Sequence, residues 1–568
     1  MNRPEHIKLW VLLAGVLAAT AAGVGWLLWR WQPSSPNVIL ISIDTCRADH
    51  LGCYGFARRT TPNIDAIAEQ AILFENAVSP IPLTLPAHCS MLTGAYPLYH
   101  GVHDNLRYHL DETNVTITEI LKERGYITAA FVSSFVLDRR FGLGQGFDIY
   151  NDRFEKPAAA EQDKERRGEE TSRLACRFLE EHRDEPFFLF LHYFDPHTDY
   201  NPPQPFASQY ADDLYSGEIA YCDQCIGQVI DKIKSLNLYD SSLLIIVGDH
   251  GESLGQHGEA EHDYYIYQGN IKIPFIVRAP RMRQPKRING AAGLVDVVPT
   301  ILGCLDVPIP AHIQGEDLSE YSRRTAPSET ERYVYCESLT ATKYACNPLL
   351  GLVSKRWKYI ETTRPELYDL SRDPVEKNNL AAKETKQARF MQGQLWDLTA
   401  GLVSKEGIDG KMELDEQSRR RLESLGYVGY GTVDASFKLD PNKPDPKDFI
   451  QYHEYYQKIT YLTNHGQYDQ AKAVCEKALA EWPAMPDTYL LLGRITFQSG
   501  KWAESITYNA KYVDLVTRQG AQHPRSLVFN PNQPLLAAFG FLGGAYFELG
   551  QYEKAIEECN ASLRIKAL

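Results

Sequence analysis

The sequence predicts an α/β protein, a doubly wound mixed sheet sandwiched by helices, followed by an all-α repeat region. Three observations carry that expectation. First, Val38-Ile39-Leu40-Ile41-Ser42-Ile43 and Leu243-Leu244-Ile245-Ile246-Val247-Gly248 are short apolar runs that each end on an acid, Asp44 and Asp249. Such runs read as strands buried on both faces of a sheet. Second, strand-like and helical stretches alternate from Asn37 to about Ile360, which places helices on both faces of that sheet. Third, Gly466, Tyr468 and Ala471 recur as Gly500, Trp502 and Ser505, and again as Gly550, Tyr552 and Ala555 after an insertion. The first two copies share the period of about 34 residues that marks stacked helix-turn-helix units.

The elements follow in order. After the first strand, Tyr126–Ser133, Phe187–Tyr193, Leu243–Gly248 and Pro274–Arg278 read as strands. Helices are expected over Thr61–Glu75, Val115–Arg124, Glu170–Arg183 and Ile219–Leu236, where apolar residues recur at helical spacing. Arg356–Leu370 reads as part of a smaller appended sheet. This gives a main domain over residues 37–430, a Pro- and Asp-rich linker over 431–449, and a repeat domain over 450–568. The repeats resemble the tetratricopeptide repeat, whose stacked helix pairs present a concave surface to a protein partner.

Ahead of the main domain, Leu9 to Trp29 carries no charge and is long enough to cross a bilayer core of ~30 Å. Trp10, Trp26 and Trp29 sit near its ends, where indole rings favour the membrane interface. The segment reads as an uncleaved anchor at 9–29 with a cytoplasmic tail at 1–8. Everything after Arg30 is then exported, into the periplasm or an equivalent extracytoplasmic space. With 568 residues the chain exceeds one hydrophobic core. A formal net charge of -14 argues against a nucleic-acid partner. The 11 cysteines, odd in number and irregular in spacing, do not settle the compartment; Cys222 and Cys225 form a lone CxxC, with no zinc-like pair of pairs.

Chemistry concentrates past the carboxyl ends of the buried strands, where open α/β sheets hold their ligands. Asp44, Asp249 and His250 reach that edge from well-separated segments and have the makings of a metal site. Thr84-Leu85-Pro86-Ala87-His88-Cys89-Ser90-Met91-Leu92-Thr93-Gly94 reads as a helix start. Taken alone, Thr84 is a capping threonine.

Set together, Asp44 to Gly55, Thr84 to Gly94 with Tyr96-Pro97 and His100-Gly101-Val102, and Asp249-His250-Gly251-Glu252 resemble the sulfatase family of the alkaline phosphatase superfamily. Phe194-Asp195-Pro196-His197, Gly293 to Thr300, Arg356 to Ile360 and Leu367 to Leu370 match in the same order, so the resemblance spans about Asn37 to Leu380. It implies that Asp44, Asp249 and His250 hold one divalent metal ion, with Thr84 as the nucleophile bound to it. It further implies that His197 and His262 hold the ester oxygens or protonate the leaving group, and it places His88 where many members have arginine. The carboxylates suit calcium or magnesium, and the imidazole admits zinc or manganese.

Two departures matter. Members of the family place Cys or Ser where Thr84 stands and oxidise it to an aldehyde, and oxidation of a threonine would give a ketone. Thr45 also replaces a second family aspartate. Unmodified threonine is the nucleophile of phosphodiesterases and phosphoethanolamine transferases in the same superfamily. The expectation is therefore a membrane-anchored, metal-dependent hydrolase of anionic sulfate or phosphate esters. Two alternatives stay open: a phosphoethanolamine-type transferase acting on a glycan or lipid, and a catalytically retired adaptor that displays the repeat domain.

Overall fold

The structure is a computed structural model that describes residues 35–154, 165–282, 284–323, 331–402, 410–414, 418, 421–422, 433–522 and 532–566. The expected anchor at 9–29 lies outside the described residues. Among those described, no helix is long and apolar enough to cross a membrane.

A 9-stranded mixed sheet forms the centre. Its strands are β1 (Val38–Ile43), β2 (Ile72–Val78), β3 (Ile127–Phe131), β4 (Ile149–Asn151), β5 (Phe187–Tyr193), β6 (Leu243–Gly248), β7 (Lys272–Ile273), β8 (Phe275–Arg278) and β9 (Lys286–Gly293). They run in the order β4-β3-β5-β1-β6-β8-β2-β7, with β9 also paired to β2. The middle of the sheet is parallel, with β1 between β5 and β6, and β8 is antiparallel to β6. The observed β5 and β6 have the expected bounds. The expected helix over Thr61–Glu75 is corrected: helix α1 stops at Ala68 (Pro62–Ala68), and Ile72–Val78 is strand.

Side chains alternate across the central strands and fill two cores, as strand geometry dictates. Ile39, Ile41, Ile43, Leu189, Leu191 and Ile246 pack on one face. They meet two helices that follow α2 (Thr84–Thr93) in the chain: α3 (Gly168–Glu181) and α4 (Leu214–Ser235). Val38, Leu40, Phe188, Phe190, Ile245 and Val247 face the other way and pack with α2 and α5 (Val297–Cys304). Truncating one of these isoleucines to alanine would cost ~2–5 kcal/mol through the cavity left behind.

A second, antiparallel sheet of four strands follows, β10 (Val334–Ser338), β11 (Leu349–Val353), β12 (Trp357–Glu361) and β13 (Glu366–Asp369), covered by α6 (Thr385–Leu402). The described residues 433–449 are not free spacer. Asn347 Nδ2 donates to the Asp440 carbonyl at 2.8 Å, and the Arg364 amide donates to Asp445 Oδ2 at 2.7 Å, pinning this stretch to the small sheet. The helices α7 (Ile450–Asn464), α8 (Tyr468–Glu481), α9 (Pro486–Gln498), α10 (Trp502–Gln522), α11 (Asn532–Glu548) and α12 (Tyr552–Lys566) then pack as successive antiparallel neighbours. Gly466, Gly500 and Gly550 have φ of 70°, 74° and 72°. Each is the left-handed turn between paired helices that favours glycine.

Candidate active site

The register of the central strands brings the site together. Ile43 of β1 lies opposite Gly248 of β6 and Tyr193 of β5. Asp44, the Asp249-His250 pair and the segment from Phe194 to His197 therefore emerge side by side at one sheet edge. The backbone amide of Asp44 donates to the Tyr193 carbonyl at 2.9 Å and fixes that exit. Gly251 continues the turn where a side chain has no room, since a Cβ there would stand 2.1 Å from the Gly269 carbonyl oxygen.

Asp44, Asp249 and His250 are fully buried, and one ligand atom from each lies within 4.8 Å of the others. Asp249 Oδ1 accepts from the amides of Thr45 at 3.1 Å and His250 at 2.7 Å. To make the first bond, Thr45 takes φ of 49°, a conformation that a β-branched residue adopts at a cost. Asp249 Oδ2 and both Asp44 oxygens are buried and accept no directed hydrogen bond. Burial of carboxylate oxygens without donors is costly, so this donor set fits a divalent cation. His250 fits as well: its Nδ1 faces the Gly251 carbonyl at 3.0 Å and so carries the proton, leaving the Nε2 lone pair aimed at the acids. His250 Nε2 stands 3.6 Å from Asp44 Oδ1 and 3.5 Å from Asp249 Oδ2.

Thr84 is the first residue of α2, with Leu83 extended ahead of it. Its Oγ1 lies 3.3 Å from His250 Nε2, the atom that stands against both acids, and the residue has no solvent exposure. Asn105 accepts from the Leu85 amide at 2.8 Å and so holds the amino end of the helix in place. One turn on, His88 Nδ1 faces the Thr84 carbonyl at 2.7 Å while its Nε2 meets Ser42 Oγ at 2.9 Å. Both ring nitrogens are therefore engaged by the protein beneath Thr84. Burial above all pushes the His88 pKa down to about 3, so this ring is neutral.

The remaining histidines line the same space. His197 stacks on Phe194, with ring centroids 4.4 Å apart, and its Nδ1 meets the Thr198 carbonyl at 2.8 Å. Its ring is 5.0 Å from that of His262, which in turn lies 4.6 Å from His250. Burial lowers the pKa of His197, and burial with the adjacent His262 lowers that of His250 far below the ordinary imidazole value. His262 is the exception. Burial opposes its charge, but Glu252, whose Oε1 is 3.2 Å from His262 Nδ1, together with Glu261 and Asp263 outweighs burial and pushes the pKa up to about 9. For Asp44, burial is likewise overridden, chiefly by the His192 contact, which holds its carboxyl well below the usual carboxylate range.

All the sequence-predicted site residues, Asp44, Thr84, His88, His197, Asp249, His250 and His262, thus stand in one cluster. Sequence reasoning passed over His192, whose Nε2 is 3.2 Å from Asp44 Oδ2. The signal was present, since it is a polar residue inside the apolar run Phe187–Tyr193. Glu252 and Asn105 were also passed over as functional residues. Nothing in the spacing of Asn105 points to an interaction with Leu85.

Three buried groups that could hold a cation, a buried hydroxyl and a histidine held against a glutamate meet at the carboxyl edge of a mixed sheet, an arrangement that fits cleavage of an ester. Comparison with known proteins agrees. Residues 36–307 match the Sulfatase family model, residues 255–400 match the carboxyl-terminal domain of N-sulphoglucosamine sulphohydrolase, and residues 462–514 match a tetratricopeptide repeat. An ulvan-active sulfatase of Formosa agariphila is 27% identical, covering 62% of this chain and 78% of that one. An N-acetylgalactosamine-6-O-sulfatase of Bacteroides thetaiotaomicron is 24% identical, covering 62% and 91%. The phosphonate monoester hydrolase of Agrobacterium radiobacter shares the fold, with a TM-score of 0.55 and 21% identity over 65% of this chain and 96% of that one. The chain carries a sulfatase-family domain and a tetratricopeptide repeat, and its sulfatase relatives indicate an ester hydrolase.

Proposed function

We infer that the protein cleaves anionic esters with unmodified Thr84 as nucleophile and one divalent ion held by Asp44, Asp249 and His250. The observation that carries this reading is the Thr84 hydroxyl, 3.3 Å from His250 Nε2 and buried among acids without donors. A divalent ion bound there would supply the positive charge that lowers the hydroxyl pKa and screens the anionic ester. Thr84 gives up its hydroxyl proton to water, its Oγ1 attacks the phosphorus or sulfur, the bond to the ester oxygen breaks, and His262, cationic at neutral pH, gives its proton to the leaving alkoxide. His197 borders the same space and holds the ester oxygens, while His88 supports Thr84 from below. Water then releases the group from Thr84.

The absence of a second hydroxyl on a substituted threonine favours phosphoryl or phosphonyl esters, because a sulfated threonine has no hydrate through which to expel sulfate. The ulvan-active and N-acetylgalactosamine relatives suggest a saccharide ester as the substrate class. The same covalent threonine allows transfer to an acceptor hydroxyl in place of water. The reading extends to an anchor at Leu9–Trp29 that keeps the catalytic domain outside the cytoplasm, and to a protein partner on the repeats.

The test is intact mass and peptide mapping after mixing with 4-nitrophenyl phosphate or 4-nitrophenyl sulfate. A gain of one phosphoryl or sulfuryl group on the Thr84 peptide is expected with one of the two. Thr84→Ala should lose both that adduct and at least about 1,000-fold in turnover. Unchanged turnover by Thr84→Ala would remove the nucleophile from the mechanism.

A further inference from the structure

We propose that α7, the first repeat helix, is part of the catalytic scaffold, with His453 as a positioning residue that holds the Glu259–Tyr264 loop and so sets where His262 stands. The inference rests on the role given to His262 above.

That loop is gripped from two sides. Toward the site, His262 meets Glu252, His250 and His197. Toward the repeats, the next residue, Asp263, turns its carboxylate to His453, with Oδ1 3.1 Å from Nε2. His453 has no solvent exposure, and its Nδ1 pairs with the Tyr344 hydroxyl at 2.8 Å. With Nδ1 on the Tyr344 hydroxyl and Nε2 toward Asp263, the ring bridges the small-sheet domain to the loop. Glu454, adjacent on α7, accepts from the Ala260 amide at 2.9 Å, and Tyr264 donates to the Pro446 carbonyl at 2.7 Å. Ser338 adds a bond from its Oγ to the Asp263 carbonyl at 2.7 Å.

The backbone shows why such a grip is needed. Asp263 has φ of 95°, a region that L-residues other than glycine rarely occupy. A strained backbone persists only where the surroundings over-determine it. Here two of the four contacts come from α7, through His453 and Glu454, and the others from Pro446 and Ser338. Release of Asp263 from His453 lets it relax toward ordinary dihedrals, and the residue that moves with it is His262.

Two substitutions separate positioning from bulk. Gln at 453 keeps a donor for Asp263, and Leu fills the space without one. The readouts, on the full chain, are kcat and KM for whichever of 4-nitrophenyl phosphate and 4-nitrophenyl sulfate the protein turns over, and amide hydrogen exchange of the loop. His453→Leu should lower kcat about tenfold with KM changed less than about twofold, and should speed exchange in Glu259–Tyr264 while α9 and α10 keep their protection. His453→Gln should recover most of both. Should His453→Leu unfold generally, seen as loss of protection throughout, Glu454→Ala removes the Ala260 contact at a half-exposed position and should still lower kcat and loosen the loop. Wild-type kcat or unchanged loop exchange in the folded variant overturns the proposal. A Thr84→Ala protein that stays active instead removes the reading of the site, and the exchange measurement then stands as the separate test of the α7 contact.

Discussion

His262 and Glu252 form a buried pair whose charge state the surroundings decide. Burial alone favours the neutral ring, yet Glu252, with help from Glu261 and Asp263, holds the proton until the pH passes about 9. The folded pKa is raised, so the cationic form is complete at neutral pH and is lost as the pH rises through about 9. An enzyme that needs this cation to protonate a leaving group loses kcat on that alkaline limb. Glu252→Gln removes the charge that opposes burial, and the limb should move down by about two units or more toward the ordinary histidine range. A kcat–pH profile between pH 5 and 10 checks it, and an alkaline limb left where it was would rule out His262 as the acid. This pairing was half legible in the sequence. Asp249-His250-Gly251-Glu252 announces a charged turn after a strand, but only the folded turn shows that Glu252 reaches a histidine ten positions further on, at 3.2 Å.

The strands that deliver the site were readable almost to the residue. Phe187–Tyr193 and Leu243–Gly248 are buried along their whole length, so apolar content and polar boundaries coincide. Thr61–Glu75 was not, and the reason is physical. Ile64, Ile67, Ala68, Ala71 and Ile72 keep helical spacing straight across the point where the helix ends. What turns Ile72–Val78 into strand is pairing with Lys286–Gly293, more than two hundred residues away, which no local period reports. A second feature hidden from the sequence lies where α4 faces the segments after β5 and before α3. Arg167 stands 3.4 Å from Asp195 and 3.5 Å from Glu218, one cation for two buried acids. Burial, then the neighbouring acid, pushes the Glu218 pKa up to about 8, and burial pushes that of Asp195 to about 7. A raised carboxyl pKa means the folded state binds the proton more tightly, so stability falls as the pH rises from about 4.5 to about 8. Glu218→Gln keeps the acceptor that the Asn201 amide uses at 2.8 Å and removes the charge. It should raise stability at pH 8 by on the order of 1–2 kcal/mol, discounted for the half-exposed Arg167, and by little at pH 5. Thermal melts at the two pH values decide it, and an equal effect at both would mean the charge is not what costs stability there.

Along the described residues, the repeat region grades from a core shared with the central sheet to a separate small one. Tyr452, Tyr456 and Ile459 of α7, Ala471 and Cys475 of α8, and Leu491 and Ile495 of α9 belong to the same continuous apolar cluster as β1, β2 and α2. Farther along, Leu490, Tyr512, Leu535 and Ala538 form a cluster of their own. On α12 and the end of α11, Phe547, Tyr552, Ile556 and Leu563 are 60%, 59%, 60% and 63% exposed. The repeat period, legible from Gly466, Gly500 and Gly550, foretells identical hairpins. It does not foretell that the first is fused to the catalytic body through Tyr344, Tyr264 and His453, because those partners are distant in sequence. In stacked repeats each unit is stabilised by its neighbours, so a unit with a neighbour on one side only opens at lower free energy. Native-state hydrogen exchange should therefore show α7 and α8 opening together with the central sheet, and α11 and α12 opening first, with a free-energy gap of several kcal/mol between the two groups. Uniform protection from α7 to α12 would mean that the repeat region behaves as one independent unit, and would contradict the shared core that joins its first helices to the sheet.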